Sequence, residues 1–406
     1  MKKNLFVFNF FIFFLIFFGC RFELKAISLS EKERSELYKE SLVSRGNNYR
    51  LKKVLEKIAA GEEVRVAAIG GSITEGEGAG DFKNGYAYQF FRGLKRYSQD
   101  GGSNLYFNGA GLRGTPSVLG MIRYERDVIK VSTKAPDLLI VEFAVNDGKG
   151  KNYERAFEAI VRNALSANSY TAVIAVYSAY DKGNVQQQME EIADYYQIPQ
   201  VSIMDAVNLA VSKGYFTKSQ FYYDYIHPSD SGHKFMADCL LNLCWKTYCS
   251  NYDERYTLPA KCLIENDKNF IKMKMLSNDD PRIVKGDFTQ TDYKCQKLFK
   301  TNDIAFRGNW YCPSVSEGKS FKVTLNCSSF IIVYKCQSAK ETEKFGMASV
   351  YVDGALWGTI DGQPAGSWNN ALFKVLIDEE TVENHTVEIK PEKGKGFTIL
   401  MTGYAD

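Results

Sequence analysis

The sequence predicts two domains, an α/β domain with a parallel sheet covered on both faces and, after it, an all-β sandwich of the jelly-roll type. Three observations lead there. Between residues 62 and 250, short apolar runs alternate with helical stretches, as buried parallel strands and their crossover helices do. After about residue 250 the periodicity turns to two, with turn signals between short runs. The chain of 406 residues is 45% hydrophobic and 24% charged, a globular composition that excludes disordered, collagen-like and coiled-coil classes.

Lys2 and Lys3 precede an apolar run from Leu5 to Phe18, broken only by Asn9, and Gly19-Cys20 follows. A charged start and a short apolar run read as a secretory signal over 1–20, too short for a membrane-spanning helix of roughly 20 residues. The Gly-Cys junction resembles a bacterial lipobox, which implies lipidation at Cys20, although Phe17 and Phe18 replace the usual leucine and small residue. A retained anchor and cleavage near Ala26 are the alternatives. Each places the protein outside the cytoplasm, with the membrane touched only at this end. Residues 21–61 form a helical segment. Ser30 is a cap for a helix from Glu31, and Leu51, Val54, Leu55 and Ile58 share one helix face in Tyr49–Ala60.

Within 62–250 the strand candidates are Val64–Ile69, Leu105–Phe107, Leu138–Ala144, Ala172–Tyr177 and Gln200–Ile203. The helical stretches are Ala87–Tyr97, Tyr153–Ala167, Val185–Tyr196 and about Ser231–Tyr248. Residues 251–280 connect to the sandwich at 281–406. Its strand candidates are Ser320–Asn326, Phe330–Lys335, Ala348–Asp353, Ala371–Ile377, His385–Lys390 and Gly396–Thr402. Asp353-Gly354 and Asp361-Gly362 are hairpin-turn signals.

Lys+Arg 51 against Asp+Glu 48, with Lys2 and Lys3 lost in the leader, leaves a nearly balanced chain. That supplies no basic footprint for nucleic acid. The spacing Cys239-x4-Cys244-x4-Cys249 is not a zinc pattern, no cluster suggests a metal or other cofactor, and no phosphate loop is convincing. Cys327 and Cys336 flank an apolar run as hairpin neighbours would. Export permits disulfides, buried thiols are equally compatible, and no pair is assigned.

Chemistry gathers at strand ends. The strand from Val64 runs straight into Gly70-Gly71-Ser72, where two glycines turn the chain and expose Ser72. A serine needs a base. Asp224-Tyr-Ile-His227-Pro places a carboxylate three residues before an imidazole, so Asp224 can hold Nδ1–H and leave Nε2 free for the serine proton. Gly109-Ala-Gly-Leu-Arg113-Gly114 and Val-Asn146-Asp147 follow the next two apolar runs and are positioned to supply oxyanion donors.

These four blocks, in this order, resemble the SGNH/GDSL hydrolases over about residues 62–248, in the Gly-Gly-Ser-Ile-Thr form found in bacterial carbohydrate esterases. The resemblance implies a flavodoxin-like three-layer α/β/α domain. It also implies Ser72 as nucleophile, His227 as base, Asp224 as its partner, and an oxyanion hole of the Ser72 and Gly114 backbone N–H groups with the Asn146 amide. Gly71 replaces the commoner Asp, Ala144 the usual Gly, and Arg113 a frequently small residue. Asp147 reads as a cap or backbone ligand, His233 as structural, and His385 as a solvated strand residue. Trp310, Trp357 and Trp368 are core or sugar-stacking candidates, and Gly76–Gly80 reads as a flexible rim loop. The expected function is an exported serine esterase that removes acyl groups, acetyl foremost, from a polysaccharide. The alternatives are a lipase, lysophospholipase or thioesterase on the same triad, and a surface glycan-binding lipoprotein without catalysis.

Overall fold

The computed structural model describes residues 26–131, 134–264 and 270–406. The leader and Cys20 lie outside the described residues. The helices and strands of the first domain are, in chain order, α1 (Glu31–Glu40), β1 (Leu42–Ser44), α2 (Tyr49–Ala59), β2 (Val64–Gly70), α3 (Ser72–Glu75), α4 (Tyr86–Leu94), β3 (Leu105–Gly111), α5 (Ser117–Tyr124), β4 (Leu138–Glu142), α6 (Lys151–Ala167), β5 (Ala172–Tyr177), α7 (Gln186–Tyr195), β6 (Gln200–Ser202), α8 (Ile203–Ser212), α9 (Lys218–Phe221) and α10 (Asp230–Cys249).

The sheet order is β1-β6-β5-β4-β2-β3, parallel from β3 through β6. Setting β1 aside, this is the flavodoxin-like order, and it reverses at β2. Strand β2 shows why both faces are covered. Ala67 and Ile69 face a core built on α5, α6 and α7, while Val64, Val66 and Ala68 face one built on α2, α4, α8 and α10. Residues before 62 are part of this domain. Ser30 caps α1 with a reciprocal Glu33 box, Leu51, Val54, Leu55 and Ile58 of α2 are fully buried, and β1 adds an antiparallel edge to β6. A three-residue strand carries no readable alternation, so sequence periodicity passes over it.

The second domain holds β7 (Lys274–Met275), β8 (Ile283–Val284), β9 (Trp310–Cys312), β10 (Phe321–Cys336), β11 (Met347–Val352), β12 (Ala355–Asp361), β13 (Asn370–Pro391) and β14 (Phe397–Ala405) in one antiparallel, eight-stranded sheet. Asp353-Gly354, both at positive φ, make the two-residue β11–β12 turn. Asp361-Gly362 ends β12 without forming a hairpin.

Two expected strand pairs are single strands. Ser320–Asn326 and Phe330–Lys335 merge into β10, and Ala371–Ile377 and His385–Lys390 merge into β13. Bulges between Cys327 and Ser329 and between Phe330 and Ile331 let the ladder continue. They also change which side chains face inward. Phe321, Val323 and Leu325 point into the sandwich core before the bulges, and Phe330, Ile332 and Tyr334 do so after them. Cys327 and Cys336 therefore sit on one strand rather than across a hairpin. Among the described residues no disulfide forms, and Cys249 alone of the eight thiols is exposed.

After the bulges the opposite face of β10 is apolar too. Ile331 and Val333, with Leu400 and Met401 of β14, join the core formed by α5 and α6. The Arg155 guanidinium of α6 also forms a two-pronged ion pair with Asp378 of β13, at 2.7 and 2.9 Å. His385 is buried rather than solvated, its Nδ1 2.8 Å from Asp353 Oδ2.

Candidate active site

Ser72 opens α3 directly after β2, at the point where the strand order reverses, and is 7% exposed. His227 comes from the loop between α9 and α10. That loop is pinched shut by a bridge between Tyr222 and Pro228 and by Tyr223 N–H donating to the His227 carbonyl at 2.8 Å. The fold brings these two segments together across most of the domain. His227 Nε2 lies 3.0 Å from Ser72 Oγ, and His227 Nδ1 lies 2.7 Å from Asp224 Oδ2. Asp224 Oδ1 also accepts the backbone N–H groups of Ile226 and His227, each at 2.7 Å. Partial burial works against the Asp224 charge. The His227 ring and these two N–H groups outweigh it, so the carboxyl is held below its ordinary value. An ionised Asp224 fixes the imidazole with Nδ1–H toward the carboxylate and Nε2 free to take a proton from Ser72.

Asn146 follows β4 and packs on the peptide just before Ser72. A methyl group on Gly71 would lie 1.8 Å from Asn146 Oδ1. The glycine that replaces the commoner Asp is thus required by the close approach of that amide. Gly114 follows β3 at φ +66°, in the left-handed region. Asp147 Oδ1 accepts the Ser117 N–H at 2.6 Å, tying the β4 loop to the start of α5. Its burial pushes its pKa up to about 8.

Two carboxylates that sequence reasoning left unassigned support these loops. Glu142 closes β4, wholly buried, and its Oε2 accepts the Thr74 hydroxyl at 2.8 Å. Burial pushes its carboxyl up to about 7. The signal for it was a charged residue inside the otherwise apolar run Leu138–Ala144. Glu75 ends α3, and its Oε2 accepts both the backbone N–H and Nε of Arg113, at 2.9 and 3.2 Å. Arg113 also pairs with Glu77 at 3.1 Å. The residue that stood out as large beside Gly114 is thereby turned onto the carboxylates Glu75 and Glu77 that follow Ser72.

His233 is buried between the Tyr86 N–H, donated to Nδ1 at 3.2 Å, and the Glu77 carbonyl, 3.0 Å from Nε2. Burial lowers its pKa to about 4, and it acts as a strut. In the 76–80 loop Gly78 serves contact rather than flexibility. A methyl group on Gly78 would meet the Pro228 carbonyl oxygen at 2.3 Å and His227 Cβ at 2.9 Å.

The three tryptophans separate. Trp310 is fully buried in the sandwich core, and Trp357 is exposed on β12. Trp368, 48% exposed, leans from the second domain onto the first, where a methyl group on Gly114 would lie 2.7 Å from its Cζ2. A solvent-facing indole therefore stands against Gly114.

Residues 68–235 match the model of the GDSL-like Lipase/Acylhydrolase family. No curated protein matches the chain in sequence. Among solved structures, a two-domain esterase active on acetylated mannans superposes with a TM-score of 0.79 at 24% identity, over 91% of this chain and 98% of that one. The same kind of esterase co-crystallised with mannopentaose gives 0.77 at 23% identity, with the same coverage. The shared fold includes both domains.

Proposed function

Taking residues 68–235 as a GDSL-like lipase/acylhydrolase domain, we propose that this protein is an exported serine esterase that removes acyl groups, acetyl foremost, from a polysaccharide. The observation that carries the reading is the Asp224–His227–Ser72 relay, with contacts of 2.7 and 3.0 Å. Ser72 Oγ attacks the ester carbonyl as His227 Nε2 takes its proton. The carbonyl oxygen becomes an oxyanion received by the Ser72 and Gly114 backbone N–H groups and the Asn146 side-chain amide. Collapse breaks the bond to the sugar oxygen, and His227 returns the proton to it. A water molecule, deprotonated by His227, then attacks the acyl carbonyl, and as the bond to Ser72 Oγ breaks His227 returns the proton to Oγ and the acid leaves.

A glycan substrate is supported by Trp368. An exposed indole against Gly114 suits the apolar face of a sugar ring, and it comes from the second domain. The solved esterase with this two-domain architecture acts on acetylated mannans, so acetylated mannan is the first substrate to test. In this reading the leader exports the chain and Cys20 carries the lipid that holds it at the membrane. Acetate release from acetylated mannan, alongside hydrolysis of short- and long-chain chromogenic esters, tests the proposal. Preference for the long chain would favour a lipase. Turnover of none, with glycan still bound, would favour a binding protein.

A further inference from the structure

Gly114 poses a problem for its assigned role. A backbone N–H stabilises an oxyanion only if it points at it, and a glycine in the left-handed region sits where its preceding peptide can rotate at little steric cost. The peptide plane between Arg113 and Gly114 must be held from outside, and two contacts hold it. Gln296 of the second domain donates its side-chain amide to the Arg113 carbonyl at 2.7 Å. That carbonyl and the Gly114 N–H are the two ends of one planar trans unit, so fixing the first aims the second in the opposite direction. Gln296 is 7% exposed, and its Oε1 is buried with no protein partner. The amide group is therefore held in the interior by this single donation. Glu75 clamps the preceding N–H of Arg113 and, through Oε1, accepts the Phe299 N–H of the second domain at 2.7 Å. The segment 296–299 thus grips both sides of Arg113.

We propose that Gln296 is a positioning residue for the esterase reaction, fixing the Arg113–Gly114 peptide so that the Gly114 N–H faces the oxyanion. It follows that the second domain contributes to turnover as well as to glycan binding. The inference rests on the serine-esterase reading above.

The test uses the full chain with Gln296→Met, which keeps the side chain's length and removes the donor. Gln296→Asn is the fallback should Gln296→Met not fold, since it keeps an amide that falls short of the carbonyl. Folding is checked by circular dichroism and thermal melting. Two rates are read, kcat and KM on p-nitrophenyl acetate, and the phosphonylation of Ser72 by a small p-nitrophenyl phosphonate, which needs the oxyanion donors and no glycan. Loss of a whole donor costs about 10²–10³ in kcat. A misaimed one is expected to cost about tenfold or more, with KM little changed and phosphonylation slowed in parallel. A reactive parent whose folded variants match it in both rates overturns the inference alone. A parent whose Ser72 is not phosphonylated overturns the esterase reading and this inference with it.

Discussion

Replacing Glu142 with glutamine should change how stability responds to pH. In the unfolded chain this carboxyl ionises near 4.5, whereas burial in the fold retains its proton up to about 7. Between those values the folded state binds the additional proton, so stability falls as pH rises and levels off above about 7. The full stability from this group is present only below the unfolded value. A shift of this size corresponds to about 3 kcal/mol in total, of which on the order of 2 kcal/mol is lost between pH 5 and pH 8. Glutamine has nearly the same shape, can still accept the Thr74 hydroxyl, and never ionises. Asp147, pushed up to about 8, contributes its own slope to both proteins, so the informative quantity is the difference between them. Urea unfolding of parent and Glu142→Gln at pH 5 and pH 8 should show the variant gaining on the parent by roughly 2 kcal/mol at the higher pH. Stability curves that run parallel across this range would refute a proton held in the fold at neutral pH.

Ser72→Ala should abolish ester hydrolysis while changing stability by less than about 0.5 kcal/mol, checked by acetate release and thermal melting. Asn146→Ala should lower kcat by about 10²–10³ with KM little altered; a rise in KM alone would make it a substrate-positioning group. Gly71→Ala should produce a similar loss, since the new methyl occupies the place of the Asn146 amide, and the double variant should be no worse than either single one, as a kinetic double-mutant cycle would show. Trp368→Ala should raise KM for acetylated mannan and leave p-nitrophenyl acetate kinetics unchanged.

The sequence made legible what local pattern encodes. Apolar runs such as Ala172–Tyr177 became strands with the same ends, and the serine and histidine blocks were visible because a serine, a histidine and a carboxylate at short spacing stand out locally. What stayed hidden depends on contacts between distant segments. Nothing local distinguishes Gln296 from any polar loop residue, because its meaning comes from a carbonyl that lies far away in the chain. The fusion of strand pairs into β10 and β13 was obscured for a related reason. Cys-Ser-Ser at 327–329 reads as a break in alternation, and only the partner strand reveals that the break is a bulge in a continuous ladder. Glu142 was legible in principle, since a charge within a buried run signals either an error of register or a proton held in the interior.

The two-faced character of β10 and β14 bears on how the protein is made. The chain is synthesised from its N-terminus at about 5–20 residues per second, and α5 and α6 emerge well before the strands that cover their outer face. For roughly 10–50 seconds, Ile122, Phe157 and Ile160 are without the side chains of Ile331, Val333, Leu400 and Met401 that complete their surroundings. Interrupted synthesis or proteolysis in that window leaves a first domain with an open apolar flank, a species prone to aggregation and to capture by chaperones. Such a chain gains its final surface only when its last strand has been delivered.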